Sequence, residues 1–296
     1  MKKWFTIVAG VAGGLLLFSG LISLAVSFLM KDDASFGSGN VVGVVEVKGI
    51  ILDSQETIRQ LRECDKNDRV KAVVLRIDSP GGVVAPSQEI YEEVKKLTAK
   101  KKVVVSMGSL AASGGYYIAA PATVIFANPG TITGSIGVII KLSNLQELMD
   151  KVGVKAITIK TGKFKDIGSS SRPMTEEDRQ LLQGVIDSSQ GQFIKAVAQG
   201  RKLSEARVRS LADGRIFTGE QALELKLVDR LGNLQDALAE AGRLGGIKGE
   251  PLQFKPKKER KLLDMLVEET ASQISGMARR QGFSINYEVD IMGGGR

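Results

Sequence analysis

From residue 41 onward the chain alternates between two kinds of apolar pattern. Residues 41–47 place apolar side chains in strand fashion, while residues 70–77 and 103–107 are nearly continuous apolar runs. Runs of that length suit strands covered on both faces. Between them, residues 54–64 read as a helix opened by Ser54, and residues 86–100 have helical spacing through Ile90, Val94 and Leu97. Residues 136–140 then predict a strand, 145–152 a helix and 154–160 a further strand. Beyond Thr175 the pattern turns helical, over residues 176–200, 204–211, 218–225 and 234–241. Strands alternating with helices in this way predict an α/β fold with a mainly parallel sheet. No internal repeat or P-loop interrupts it, which removes any ATP-driven protease reading.

The first forty residues obey a different logic. Lys2 and Lys3 precede residues 4–30, which carry no charge. A helix of that length reaches about 40 Å, enough for a hydrocarbon core of about 30 Å with some tilt. The stretch is longer than a signal-peptide core and ends in no A-x-A site, so an uncleaved anchor is preferred to a cleaved leader. The positive-inside rule keeps residues 1–3 in the cytoplasm and puts everything after Lys31 outside. The expected organisation is a stub and transmembrane helix over residues 1–31, a polar tether over 32–40, a catalytic domain over 41–248 and a basic, partly helical extension over 249–296.

The net charge of +8 is concentrated partly in residues 255–261 and suits an anionic surface, for which membrane lipid is the natural partner. Nucleic acid is not expected, because aromatic residues make up only 5% of the chain and the domain faces outward. Leu263, Leu266, Val267, Ile274 and Met277 share one helical face. That face suits packing on the domain or on a neighbouring subunit, or a helix lying on the membrane. Cys64 is the single cysteine, so no intramolecular disulfide forms.

The chain contains no histidine, so a Ser-His-Asp triad is impossible. It nevertheless carries a serine suited to attack. Ser113 sits in Ala111-Ala112-Ser113-Gly114-Gly115, between a predicted strand and an apolar stretch. A serine on such a turn is exposed, and the amide after it is free to meet a developing oxyanion. A second turn, Asp78-Ser79-Pro80-Gly81-Gly82, lets backbone approach a ligand closely and offers another free amide. A third, Thr133-Gly134-Ser135-Ile136-Gly137, offers a hydroxyl that could orient a base.

Some other group must then take the serine proton, and a lysine is the best candidate. An ordinary lysine, with a pKa of about 10.4, costs roughly 4.6 kcal/mol to hold neutral at pH 7, and burial removes much of that cost. Residues 160–168 supply Lys163 and Lys165, with Phe164 and Ile167 as apolar cover. Position along the chain does not choose between the two lysines.

Together the motifs Asp78-Ser79-Pro80-Gly81-Gly82, Ala112-Ser113-Gly114-Gly115-Tyr116-Tyr117, Thr133-Gly134-Ser135-Ile136-Gly137, Gly162-Lys163-Phe164-Lys165-Asp166-Ile167-Gly168 and Gly214-Arg215-Ile216-Phe217-Thr218-Gly219 resemble those of the signal peptide peptidase A family in its short bacterial form. That family comprises membrane-anchored Ser-Lys proteases. The resemblance implies a ClpP/crotonase-like fold, with Ser113 as nucleophile, Lys165 as base, Ser135 holding the lysine and Gly82 and Gly114 as oxyanion donors. It also implies ring- or dome-like homo-oligomers, in which serine and lysine come either from one chain or from adjacent subunits, and remnant signal peptides as substrates. Neither a cofactor nor a metal is called for. The competing readings are a catalytically silent peptide-binding scaffold of the same fold, and an acyl-CoA enzyme using similar glycine turns. Retention of both Ser113 and Lys165 argues against the first, and the outward topology against the second.

Overall fold

The computed structural model describes residues 39–257. In chain order these form β1 (Val41–Lys48), α1 (Gln55–Lys66), β2 (Val70–Ser79), α2 (Val84–Thr98), β3 (Lys102–Ala112), α3 (Gly114–Ala119), β4 (Val124–Ala127) and β5 (Ile132–Gly134). Next come α4 (Gln146–Lys151), α5 (Glu176–Arg201), α6 (Glu205–Arg209), β6 (Ile216–Thr218), α7 (Gly219–Glu224), β7 (Arg230–Leu231), α8 (Leu234–Leu244) and β8 (Leu252–Phe254). The sheet runs β6-β5-β3-β2-β1-β8, with β4 and β7 branching from the first half of β3. Every pairing is parallel except β5 with β6.

The apolar runs are continuous because helices cover both faces of the sheet. Val45, Leu75, Ile77, Val105 and Met107 point to one side, where they meet Leu61 of α1, Ile90 and Val94 of α2 and Phe193 and Ile194 of α5. The intervening residues Val42, Val44, Val74 and Val104 point to the other side, against Ala237, Leu238 and Ala241 of α8. Register fixes this sorting: Val44 pairs with Val74, and Val74 with Val104. A slip of one residue would exchange the two sets. Cys64 lies in the larger core, where burial pushes its thiol up to about 12. A Cβ added at Gly43 would stand 2.7 Å from its sulfur, so the glycine in β1 makes room for it.

Two expected strands do not form. Ile136 is buried, but the chain then leaves the sheet, and residues 137–145 are irregular. Residues 154–160 are likewise irregular and exposed, Ile157 by 87% and Ile159 by 96%. An apolar, β-branched run becomes a strand only with a partner for its backbone, and no described strand lies beside this one. The helix between them is present as α4. Conversely, β4 to β8 were not anticipated, because two to four residues carry no periodicity. Ser54 does precede α1, but its hydroxyl donates to Glu89 rather than capping the helix.

The expected membrane-spanning segment over residues 4–30 and the apolar face from Leu263 to Met277 lie outside the described residues. Among the described residues, no helix is long and apolar enough to cross a membrane.

Leu75 is fully buried in the central strand. Leu75→Ala should therefore cost about 2–5 kcal/mol of stability. Urea unfolding of native and variant protein measures the difference, and a cost near zero would contradict a core packed on both faces of the sheet.

Candidate active site

The site is assembled from three turns at the carboxyl ends of the parallel strands, where open α/β sheets hold their ligands. At the end of β2, Ser79 Oγ accepts the Gly81 N–H at 3.1 Å and Gly81 adopts φ 97°. The connection after β1 then clamps this turn. Ile51 N donates to Gly81 O at 2.9 Å, and Val83 N donates to Ile51 O at 2.8 Å. Gly82 is caught between them, so close that an added Cβ would lie 2.1 Å from Ile51 O. Its own N–H meets no acceptor among the described residues. Asp78 does not reach the site: its carboxylate accepts the Leu110 N–H at 3.1 Å and ties β2 to β3.

Ser113 comes directly after β3 with φ 52° and ψ −120°. Such a conformation in a residue with a side chain costs about 1–3 kcal/mol and persists only where its surroundings enforce it. Ser113 N donates to Gly134 O at 2.9 Å, and Ser113 O accepts from Tyr117 N at 2.8 Å. The short helix α3 is itself anchored by fully buried Tyr116, whose hydroxyl donates to Leu227 O at 2.9 Å. Gly114, the first residue of α3, also has an N–H without an acceptor among the described residues.

The two glycine turns touch. A Cβ on Gly81 would stand 2.5 Å from Gly114 N and 2.9 Å from Ser113 Cβ, and a Cβ on Gly114 would stand 3.2 Å from Gly82 N. Two unoccupied amides therefore flank one serine.

The third turn is locked to the second. Thr133 Oγ1 donates to Ala111 O at 2.7 Å, Gly134 O receives the Ser113 N–H, and Ser135 N donates to Arg215 O at 2.8 Å. Ser135 has φ 49° and lines the same cavity as Ser113, Gly82 and Gly114, a space of about 380 Å³. Its other walls include Val84 and Gln88 of α2, Tyr117 of α3 and Phe193 of α5. The Tyr117 ring is held by Tyr91 and Phe193, with centroids at 5.1 and 4.8 Å. None of these four wall residues was given a role from the sequence, although Tyr117 closes the quoted motif that contains Ser113. Tyr117 was accessible, lying one helical turn beyond Ser113, but Phe193 comes from a distant helix and gave no local signal.

The lysines are elsewhere. Asp166 bonds to Lys160 Nζ at 2.6 Å and to Arg172 at 2.9 and 3.0 Å, and Arg172 also reaches Asp178 at 2.6 Å. Asp178 is in turn part of the capping box that opens α5. This network staples residues 160–172 to the start of α5. The Arg172 and Lys160 hydrogen bonds hold the Asp166 carboxyl well below the usual carboxylate range, and the Arg172 hydrogen bond brings Asp178 down to about 2. Lys163 pairs with Glu177 and lies 5.5 Å from the Phe164 ring centroid. Lys165 is exposed, has no ion-pair partner among the described residues and does not line the Ser113 cavity. Phe164 does not cover it either, being exposed itself. Within one chain, Ser113, Ser135, Gly82 and Gly114 come together and Lys165 does not join them.

Comparison with known proteins shows which family the chain is similar to. The pattern of peptidase family S49 matches residues 95–248, and that of Clp protease matches residues 48–130. A protein of Synechocystis sp. provisionally named a protease is 44% identical over 81% of this chain and 87% of its own length. A protein of Enterococcus faecium provisionally named signal peptide peptidase SppA is 33% identical over 94% of this chain and 86% of its own. The chloroplastic serine protease SPPA of Arabidopsis thaliana is 34% identical over 70% of this chain, which spans 31% of that longer protein.

The staple around Arg172 is expected to weaken in acid. Both carboxyls have folded-state values below the unfolded value of about 3.9. Their contribution is complete above that value and is lost as pH falls through the folded values. Residue-resolved NMR should show residues 160–172 detaching from α5 between about pH 4 and 2, ahead of the sheet, and Asp166→Asn should loosen them near neutral pH. Unchanged signals in both experiments would dismiss the staple.

Proposed function

Because the chain belongs to peptidase family S49 alongside the signal peptide peptidase A proteins, we propose that it is a serine endopeptidase with a Ser113–Lys165 dyad. The observation that carries the reading is the strained Ser113 between the free amides of Gly82 and Gly114. The lysine is supplied by a neighbouring copy of the chain. Two features support that arrangement. Lys165 is the uncommitted amine in a stapled loop, whereas Lys163 is engaged by Glu177. The same arm exposes Ile139, Leu148, Ile157 and Ile159, and nearby α5 exposes Leu181 and Val185. Apolar surface of this kind favours burial against another protein surface. A lysine acts as a base only when uncharged, and removal from water favours that form.

The Lys165 amine takes the Ser113 Oγ proton as Oγ bonds to the scissile carbonyl carbon. The carbonyl oxygen becomes an oxyanion received by the Gly82 and Gly114 N–H groups. Collapse breaks the C–N bond, and the lysine ammonium returns its proton to the departing amine. Water, deprotonated by the same amine, then releases the acyl group from Ser113. Ser135 accepts a hydrogen bond from Lys165 and orients it. The cavity walls Val84, Tyr117 and Phe193 suit apolar side chains of an extended peptide. Remnant signal peptides are the substrates in view, met by a homo-oligomeric ring or dome tethered to membrane lipid through residues 4–30, with the catalytic domain outside the cytoplasm.

Ser113→Ala and Lys165→Ala should each lower kcat/KM on an apolar peptide by about 10⁴-fold or more, with Lys163→Ala within a few-fold of native. If the dyad spans two subunits, co-expression of equal amounts of the two inactive variants restores about a quarter of native activity, because that fraction of sites receives both intact residues. No recovery would confine the dyad to one chain, and a fully active Lys165→Ala would remove the lysine from the mechanism. Gly82→Ala should reduce kcat by about 10²–10³-fold through displacement of an oxyanion donor; native kcat in that variant would exclude Gly82.

A further inference from the structure

Ser135 lines the Ser113 cavity in a left-handed conformation, yet its turn has few supports. The pairing of β5 with β6 ends at Gly134, opposite Ile216. Beyond Ile136, residues 137–144 make no backbone–backbone hydrogen bond among the described residues. Ser135 and Ile136 are thus the last fixed points before a free stretch that includes Gly137, Val138 and Ile139, all of them cavity walls. Two backbone bonds hold them. Ser135 N donates to Arg215 O at 2.8 Å, and Gly214 N donates to Ile136 O at 3.2 Å. Both run to residues 214 and 215, so the turn is only as firm as that second segment.

Gln190 of α5 ties the two together. Its Nε2 donates to Ala212 O at 2.7 Å and, more weakly, to Ile136 O at 3.4 Å. One amide therefore spans a carbonyl of the turn and a carbonyl of the segment that supports it. The other side of the amide is unsatisfied: Gln190 Oε1 is buried and meets no donor among the described residues. A buried acceptor left empty costs stability. A residue present only to fill this space would be apolar and avoid that cost, so the donor has a role apart from packing.

We propose that Gln190 is a positioning residue for Ser135, its amide fixing Ile136 and Ala212 at the spacing that keeps Ser135 at the cavity. Gln190 does not itself line the cavity, and it acts on the chemistry only through the turn. The proposal rests on the orienting role given to Ser135 above and adds the residue that maintains it.

The test is steady-state kinetics on an apolar peptide, using the full chain in its native assembly and the variants Gln190→Met, Ser135→Ala and both together. Methionine preserves volume and removes the donor. Gln190→Met should lower kcat about tenfold with KM within about twofold of native. Its Tm should move by less than about 3 °C, because the empty acceptor is removed along with the donor. Amides of residues 134–137 should exchange faster, while those of β2 and β3 keep native rates. The double variant should be no worse than Ser135→Ala alone, since a residue acting through Ser135 then has nothing left to hold. Gln190→Glu, which keeps the shape but turns an acceptor toward both carbonyls, should lower kcat at least as far as Gln190→Met. Native kcat in either Gln190 variant, or a double variant worse than Ser135→Ala, would overturn the proposal. Failure of the dyad is a separate result: a fully active Lys165→Ala would defeat the dyad without altering the coupling between residues 135 and 190.

Discussion

The contact between two glycine turns is the constraint on which the rest of the site depends. Gly81 and Gly82 pack against Ser113 and Gly114 so closely that a single Cβ on either side would meet backbone or a serine side chain. This closeness explains why each turn is locked from behind. The Ile51 backbone holds Gly82 on one side, and Gly134 O takes the Ser113 N–H on the other. Both locks satisfy the neighbouring amides while leaving those of Gly82 and Gly114 unused. Backbone donors left open in a partly buried place are costly unless something arrives to accept them. The parallel sheet and its two cores keep the three strand ends from which these turns spring at a fixed spacing.

Much of this was legible in the sequence, for physical reasons. The central strands read as strands because both faces are covered, so Val70 to Ile77 needs no polar alternation. Gly81 and Gly82 mark a backbone approach that other residues would block. The short strands β4 to β8 were invisible because their stability comes from the ladder they join rather than from local preference. The runs at 136–140 and 154–160 mislead for the complementary reason: they have the composition of strands but lack a described partner. Phe193 and Gln88 illustrate a third limit. Their place in the cavity is set by the packing of α5 and α2 onto α3, which no local pattern encodes.

The lysine marks the boundary of what one chain contains. Residue types pointed to Lys163 and Lys165 without separating them, and the structure separates them by their commitments: Lys163 to Glu177, Lys165 to nothing described. The loop that carries them is not loose, because Arg172 joins Asp166 to Asp178 and thereby to the capping box of α5. A firm loop presenting an unpaired amine and a row of exposed isoleucines and leucines has the character of a half-interface.

A protease without histidine faces a difficulty that this arrangement addresses. The unperturbed pKa of histidine already lies near neutrality, so a histidine dyad can be complete within one folded chain. A lysine must be taken out of water before it accepts a proton, and an exposed loop keeps it wet. On the proposed reading, assembly supplies the missing desolvation as well as the missing residue. The single chain holds a poised nucleophile with two waiting amides, yet lacks the group that would deprotonate it. On that reading, catalysis depends on the interface as strictly as on Ser113. On the same reading, burial of the exposed apolar residues Ile139, Leu148, Ile157 and Ile159 would help to drive the assembly that completes the site.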